Sequence, residues 1–535
     1  MHAPLDASAD AGASPLEDFA MSEADASRPQ SPAKFDFVAW CVLWLALLVY
    51  AAVAAPVPAV NEPHYLCKAR HAWDSQWCAG DLFLESFDAH AVFYGLFGWW
   101  TTWLPLPVVA WTGRAIACAW LASGFVATLG PLLPRRGQLW LTVAGWLLLQ
   151  SIGSFSGEWV VGGLEGKVFA YAGLLCAWAA VNRDRPILAG CWTGLAISFH
   201  PVVGVWGLMA GVGACVAQRL TSRREPTAAP WTSRWLLIYM TALVAMLVAA
   251  LPGLVPVLEL LSQPVAPEVK YAGTYLQVFH RLGHHLDPMR FPASAWLGYG
   301  GLLVAFVISS GRAWSRPLWR GWWLLTLAAV LFTVAGIAVG AGPRPPQLMP
   351  WFDLRMHLLK FYPFRLADAL LPLTVCLLTA TWVRSGKVAT ALAGVCLAAA
   401  LTRGHLLAQE KRVTQERDPA WIAVCDWIRE HTPRTALVLT PPDRGTFKWN
   451  AERAEYVNFK DCPQDVTGIV EWNRRLQFQT KWFSDHYADQ LYSAEELEQL
   501  AEATGASYLI TERLGPMESA PMFEAGGLRV YALLR

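Results

Sequence analysis

Between residues 36 and 403 the chain repeats one feature about eleven times: an apolar stretch close to the roughly 20 residues a helix needs to cross hydrocarbon. The stretches fall near 36–56, 105–131, 138–155, 165–181, 186–199, 201–218, 234–256, 294–310, 320–341, 366–384 and 387–403. Lipid offers no hydrogen bonds, so such a chain must satisfy its backbone within helices. The expected fold class is an α-helical polytopic membrane protein. His200-Pro201 alone separates the fifth stretch from the sixth, so the two could form one kinked helix. Loop charge favours two. With eleven spans and a cytoplasmic N-terminus, the loops at 134–137, 182–185, 218–224, 311–320 and 384–387 lie inside, each short and rich in Arg or Lys, Arg223 among them. The opposite loops (57–104, 156–164, 261–293 and 342–365) are longer and hold acids and histidines.

Composition agrees with lipid as the solvent. Charged residues make up 16% of the chain and hydrophobic ones 55%, against roughly 25% charge in a typical soluble chain. There are 29 tryptophans, several beside expected span ends (Trp100, Trp103, Trp111, Trp322, Trp323, Trp351), where an amphipathic ring suits the headgroup level. Packed core aromatics account for the remainder. The net charge of +1 says nothing about nucleic acid, but no basic run interleaved with aromatics suggests a phosphate-backbone groove, and no nucleic-acid partner is expected.

Three regions follow. Residues 1–34, rich in Ala, Ser, Pro, Asp and Glu, are expected to form a disordered cytoplasmic tail. Residues 35–409 form the transmembrane domain, and its first apolar stretch follows acids rather than a basic segment, so it is read as a retained span and not a signal peptide. Residues 410–535 have a soluble composition and form a small exported α/β domain. Its expected elements are a helix over 418–430, strands over 435–440 and 453–459, a helix opened by a Ser493/Glu496 capping box, and strands over 507–511 and 528–534.

Ionisable groups at a membrane face are costly and need partners. The loop after the first span is the densest in them, with N-E-P-H-Y-L at 61–66, then Lys68, Arg70, His71, Asp74, Asp81, Glu85, Asp88 and His90. Glu62 lies a few residues beyond the span, where it could act as a general base or hold a divalent metal ion, under an amphipathic helix expected at 84–103. The alternative is a solvated loop in which the acids pair with Lys68 and Arg70. A second cluster precedes the tenth span: Asp353, Arg355, His357, Lys360, Arg365 and Asp368 alternate with apolar residues. Its cations suit a phosphate or diphosphate, or they snorkel to lipid headgroups. Weaker candidates are His280, Arg281, His284, His285 and Asp287 for metal or phosphate, and the Glu158/Glu165/Lys167 turn. No G-x-S-x-G elbow and no H-E-x-x-H helix occurs.

Seven of the 11 cysteines lie in apolar stretches. The other four form two exported pairs, Cys67 with Cys78 and Cys425 with Cys462, and two disulfides are expected in an oxidising compartment.

The order of parts resembles the GT-C superfamily of polytopic membrane glycosyltransferases: a cytoplasmic N-terminus, an acidic first outer loop, a short amphipathic helix, many spans and an exported C-terminal domain. The segment F-Y-P-F-R-L-A-D-A-L-L-P is similar to that of an uncharacterised bacterial group within it. The resemblance implies transfer of a sugar from a polyprenyl-phosphate donor to an acceptor on the non-cytoplasmic face of a bacterial inner membrane. It places the catalytic acid at Glu62, with Asp74 as second choice; because both ionisable clusters border the same membrane face, His64 is expected to support Glu62, and Arg355, His357, Lys360 and Arg365 to hold the donor phosphate. The other readings are a membrane scaffold presenting the exported domain and a transporter or flippase. The latter would call for ionisable residues deep in spans, where Arg114 and Glu259 are the notable charges.

Overall fold

The computed structural model describes residues 35–533 except 60, 89, 223–232, 315, 411–414 and 513. The expected tail at 1–34 and the loop position Arg223 lie outside the described residues. Phe37–Arg535 is one compact unit.

A helix stands at each expected span: Phe37–Ala54, Leu106–Leu129, Arg136–Ile152, Gly166–Val181, Pro186–Phe199, Pro201–Ser222, Ser233–Ser262, Ala293–Ile308, Pro317–Gly340, Arg365–Ala380 and Gly386–Ala408. Among the described residues, six helices are long and apolar enough to cross a membrane by length and composition. The fifth and sixth are separate helices. His200 between them has an extended backbone, because proline at 201 disfavours helical geometry in the residue before it and is accepted at a helix start.

The bundle packs Pro186–Phe199 against both Gly166–Val181 and Ser233–Ser262, and Arg136–Ile152 against both Arg365–Ala380 and Gly386–Ala408. Glycine permits the closest approaches. A Cβ at Gly194 or Gly190 would strike the backbone of Ser233–Ser262. The tryptophans divide: Trp99, Trp103, Trp111 and Trp351 are exposed, as an interfacial role requires, whereas Trp322 is fully buried and donates to Thr374 Oγ1 at 3.0 Å. That ring belongs to the core, not to the headgroup level.

On one side of the bundle, here the loop face, the first loop holds two helices, Glu62–Trp73 and Ala91–Thr101. The first was expected as irregular loop. The second begins later than 84 because Lys68 gathers the carbonyls of Phe83 (2.6 Å), Leu84 (3.2 Å) and Ser86 (2.8 Å) into a turn. The two helices touch at Gly98, where a Cβ would collide with the Ala69 carbonyl.

The C-terminal region is an α/β layer with a five-stranded sheet of order β2-β1-β3-β5-β4, made of β1 (Leu437–Leu439), β2 (Ala454–Glu455), β3 (Tyr508–Thr511), β4 (Phe523–Ala525) and β5 (Leu528–Ala532). β2, β1 and β3 are parallel, whereas β5 and β4 run antiparallel. The capping box opens Ala494–Thr504 as expected. Alternate strand residues face two separate cores. Leu439, Leu509 and Tyr531 pack with Cys462, Trp472 and Leu500, while Val438, Ile510 and Val530 pack with Trp421, Cys425 and Ile428.

That alternation separates one expected disulfide, since Cys425 and Cys462 lie on opposite faces of the sheet. Cys67 and Cys78 are also free thiols. Burial pushes all four thiols up, Cys462 to about 12, which disfavours the thiolate that forms disulfides.

Candidate functional site

Glu62 opens the helix Glu62–Trp73 and is fully buried. Arg114, from Leu106–Leu129, grips it with both Nε and Nη2 at 2.6 Å. The amides of Ala59 (2.7 Å) and Leu164 (2.8 Å) donate to the same two oxygens. A carboxylate has about four acceptor positions, and these bonds occupy them. Glu62 therefore joins the first span's exit, the second span and the third loop; it is not a base open to a substrate. The reason was not local in sequence, because Arg114 and Leu164 are 52 and 102 residues away.

Asp74, the second choice, is exposed at the far end of the same helix and accepts from its neighbour Gln76. Twelve helical steps put it roughly 18 Å from Glu62, so the two acids share no site.

Of the four expected phosphate ligands, only Arg365 enters a cluster. Arg355 donates to Ala341 O at 2.8 Å, His357 Nδ1 meets Asp353 O within its own helix at 2.7 Å, and Lys360 is half-buried, its ammonium disfavoured by burial and by Lys270. The short helix Phe352–Leu359 sends these side chains in different directions. Arg365 instead turns into the loop face. It pairs with Glu158 at 3.0 Å, donates to His200 Nε2 at 3.0 Å and lies 4.1 Å over the Tyr362 ring.

Around this pair the loop face gathers residues from distant segments. Lys167 lies 3.2 Å from Glu165 and 3.9 Å from Glu158. Asn61 donates to Glu165 at 2.8 Å and accepts from Lys460 at 2.5 Å. Arg281 donates to Lys460 O at 3.1 Å. Burial and the charges of Arg281 and Lys167 lower the Lys460 ammonium to about 8, against the pull of Glu165 and Asp461. Tyr65 reaches His90 at 3.4 Å, and the His90 and His200 rings lie 5.2 Å apart. Among the weaker candidates, His285 meets Ser156 O at 2.5 Å, and Asp287 pairs with Arg344. No group of three metal-ligating side chains forms among the described residues.

Beneath this polar layer, a cavity of about 1020 Å³ runs into the bundle. Leu121, Phe125, Trp146, Leu174 and Leu370 line it, Val160 and Tyr171 stand at one end, and Asn182, Asp184 and Arg219 at the other. Tyr171 joins the two regions, because its hydroxyl donates to Arg365 O at 3.1 Å and lies 3.4 Å from Glu158.

The α/β layer closes the site from above. Lys448 is buried among Asp81 (3.2 Å), Asp461 (2.6 Å) and Glu455, and Asp461 also meets His64 Nδ1 at 3.0 Å. Those carboxylates outweigh burial and raise the lysine, whereas burial raises Glu455 to about 7. Lys448, Glu455 and Asp461 gather where the parallel strands β1 and β2 end, the edge at which open α/β sheets place their ligands. Sequence reasoning missed Lys448, Lys460, Asp461, Tyr171 and His200. Of these only His200 carried a signal, as an ionisable residue between two apolar stretches.

Residues 419–478 match a family model described as a domain of unknown function, DUF6798. No curated protein matches the chain. The chain is similar to the crystal structure of ArnT from Cupriavidus metallidurans bound to undecaprenyl phosphate, at 15% identity over 94% of this chain and 99% of that one, with a TM-score of 0.42. An identity and a score that low give the likeness no weight for ligand or activity, and the functional case rests on the chain's own loop-face cluster and cavity.

Proposed function

We propose that this protein is a membrane glycosyltransferase that takes a sugar from a polyprenyl-phosphate donor at its loop face, the non-cytoplasmic side of a bacterial inner membrane. One observation carries the reading. A long apolar cavity ends at Tyr171 directly beneath Arg365, Glu158 and Lys167. An apolar tail and an anionic head joined in one molecule match that sequence of environments. The cavity is of the size that holds extended apolar ligands, and charge-assisted bonds from Arg and Lys suit a departing phosphate.

In this reading Arg365 and Lys167 hold the donor phosphate, with Lys460 and Arg281 adding positive potential. The low proton affinity of Lys460 supports it, since crowded cations gain when an anion joins them. Arg355, His357 and Lys360 have no part in it.

The test is binding of undecaprenyl phosphate to the purified chain. Wild type is expected to bind, and Arg365→Ala to bind about tenfold or more weakly, as loss of a charged hydrogen bond implies. Equal binding by both would remove Arg365 from the site, and no binding by wild type would favour the scaffold reading.

A further inference from the structure

With Glu62 saturated and Asp74 remote, the reaction proposed above still needs a proton acceptor. The side chain that best meets the requirement is an imidazole. His64 lies two residues into the helix that Glu62 opens, stacked on Phe83 with ring centroids 4.1 Å apart. Its Nδ1 lies 3.0 Å from Asp461 Oδ1, and 14% of the side chain remains exposed against 2% for Asp461. Nε2 makes no hydrogen bond among the described residues, nor is it a sealed buried atom.

Asp461 is itself clamped. It receives Lys448 Nζ at 2.6 Å and Asn458 Nδ2 at 3.1 Å, and its own amide donates to Asn458 Oδ1 at 2.7 Å. The carboxylate thus arrives from the α/β layer in a fixed orientation, and a carboxylate so held fixes the proton of its imidazole partner on Nδ1 and leaves Nε2 bare.

We propose that His64 is the general base for the acceptor and that Asp461, a positioning residue supplied by the C-terminal α/β layer, sets its tautomer; the assignment rests on the glycosyltransfer reading. Nε2 takes the proton of the acceptor's hydroxyl as the oxygen's electron pair forms the bond to the sugar's anomeric carbon. The bond from that carbon to the phosphate oxygen breaks, and the phosphate leaves with its electron pair. The imidazolium so formed is stabilised by Asp461.

The protonation state fits. Burial lowers His64 below its usual value, the Asp461 hydrogen bond and charge oppose this, and Lys460 and Arg281 reinforce it. Tyr65 stands edge-on to the same ring with centroids 5.7 Å apart, and burial with the charges of His64 and Arg365 keeps His90 down at about 3. Despite burial, Lys448 and the bond from His64 hold Asp461 far below the usual carboxylate range. The resting pair is a neutral imidazole beside a carboxylate, the form a base requires.

The experiment uses the full chain in phospholipid nanodiscs and diethyl pyrocarbonate, which acylates unprotonated imidazole nitrogen, with the His64 peptide quantified by mass spectrometry from pH 5 to 8. Wild-type His64 should be modified along a single titration with its midpoint below the ordinary value of about 6.5. In Asp461→Asn the midpoint should fall by about one pH unit or more, because an opposite charge is lost. The plateau rate should fall too, because the amide can pin the wrong tautomer. Asp461→Glu should recover both. Resistance of wild-type His64, an unchanged profile in Asp461→Asn, or a midpoint moving up toward 6.5 as a merely loosened fold would give, each overturns the dyad. Undecaprenyl phosphate binding is measured on the same wild-type samples. Its absence from wild type removes the transfer reading, and the base role with it, while the modification profile separately reports the dyad.

Discussion

Glu62 and Lys460 show how far a single residue's role depends on partners outside its own segment. The first loop singled out Glu62 by its distance from a span end, and Arg114 was visible as a charge near a span. Their union was not legible, since it depends on two helices crossing at that height. Glu62→Gln would turn a donor toward the Arg114 guanidinium and leave that cation buried without its counter-charge. Breaking a buried pair costs about 3–5 kcal/mol, so the variant is expected to lose thermal stability and folded yield, measured by fluorescence-detected gel filtration after heating. Retained stability with lost activity would return Glu62 to catalysis. Lys460 gives a pH dependence. Its ammonium, lowered to about 8 chiefly by burial and Arg281, is present below that pH and lost above it. Affinity for undecaprenyl phosphate should therefore hold up to pH 8 and weaken beyond, and Lys460→Met should bind more weakly without that slope. A slope that survives the substitution would assign it to another group.

Among the elements, the helices at the eleven expected spans were legible because apolar length is a local property, and the His200-Pro201 break was legible because proline acts on its neighbour. The helix Glu62–Trp73 was not, because its charges resembled a solvated loop. Lys68 and His71 are in fact buried, with Lys68 bonded to the next turn and His71 Nδ1 to Trp77 O at 2.8 Å. Val466–Asp485 was overlooked although Ile469, Trp472, Gln479 and Phe483 mark its buried stripe. Polar residues fill its other face and hide the period. The strand expected over 453–459 shrinks to Ala454–Glu455, since beyond it Asn458 Nδ2 donates back to Glu455 and to Asp461, and the Phe459 amide donates to Pro442 O at 2.8 Å. At that junction Glu455 has a proton affinity raised to about 7 by burial, with Asp461 and Asp81 beside it and Lys448 opposing. A carboxyl raised on folding stabilises below its unfolded value and loses that contribution as pH rises through the folded one. The junction should therefore loosen as pH rises from about 4.5 to about 7, seen as a falling midpoint of thermal unfolding, and Glu455→Gln should flatten that fall. An identical fall in the variant would place the titration elsewhere.

For the whole molecule, the short basic loops order the topology, and reporter fusions test it. A fusion at 184 is expected on the cytoplasmic side and one at 420 on the other; both on one side would refute the arrangement and the location proposed for the site. The loop segments and the α/β layer meet in one polar layer, so the first loop and the C-terminal region should resist protease together or yield together. The cavity below them has a further consequence. Its lining runs along Gly166–Val181 from Tyr171 to Asn182, roughly 16 Å of helix, and so links the chemistry at one face to residues near the other. A small amphiphile lodged beside Asn182 and Arg219 would obstruct the same passage that the proposed donor's tail must fill. It would act as a competitor without touching Arg365 or His64, and its potency would follow the length of its apolar chain rather than the chemistry of its head.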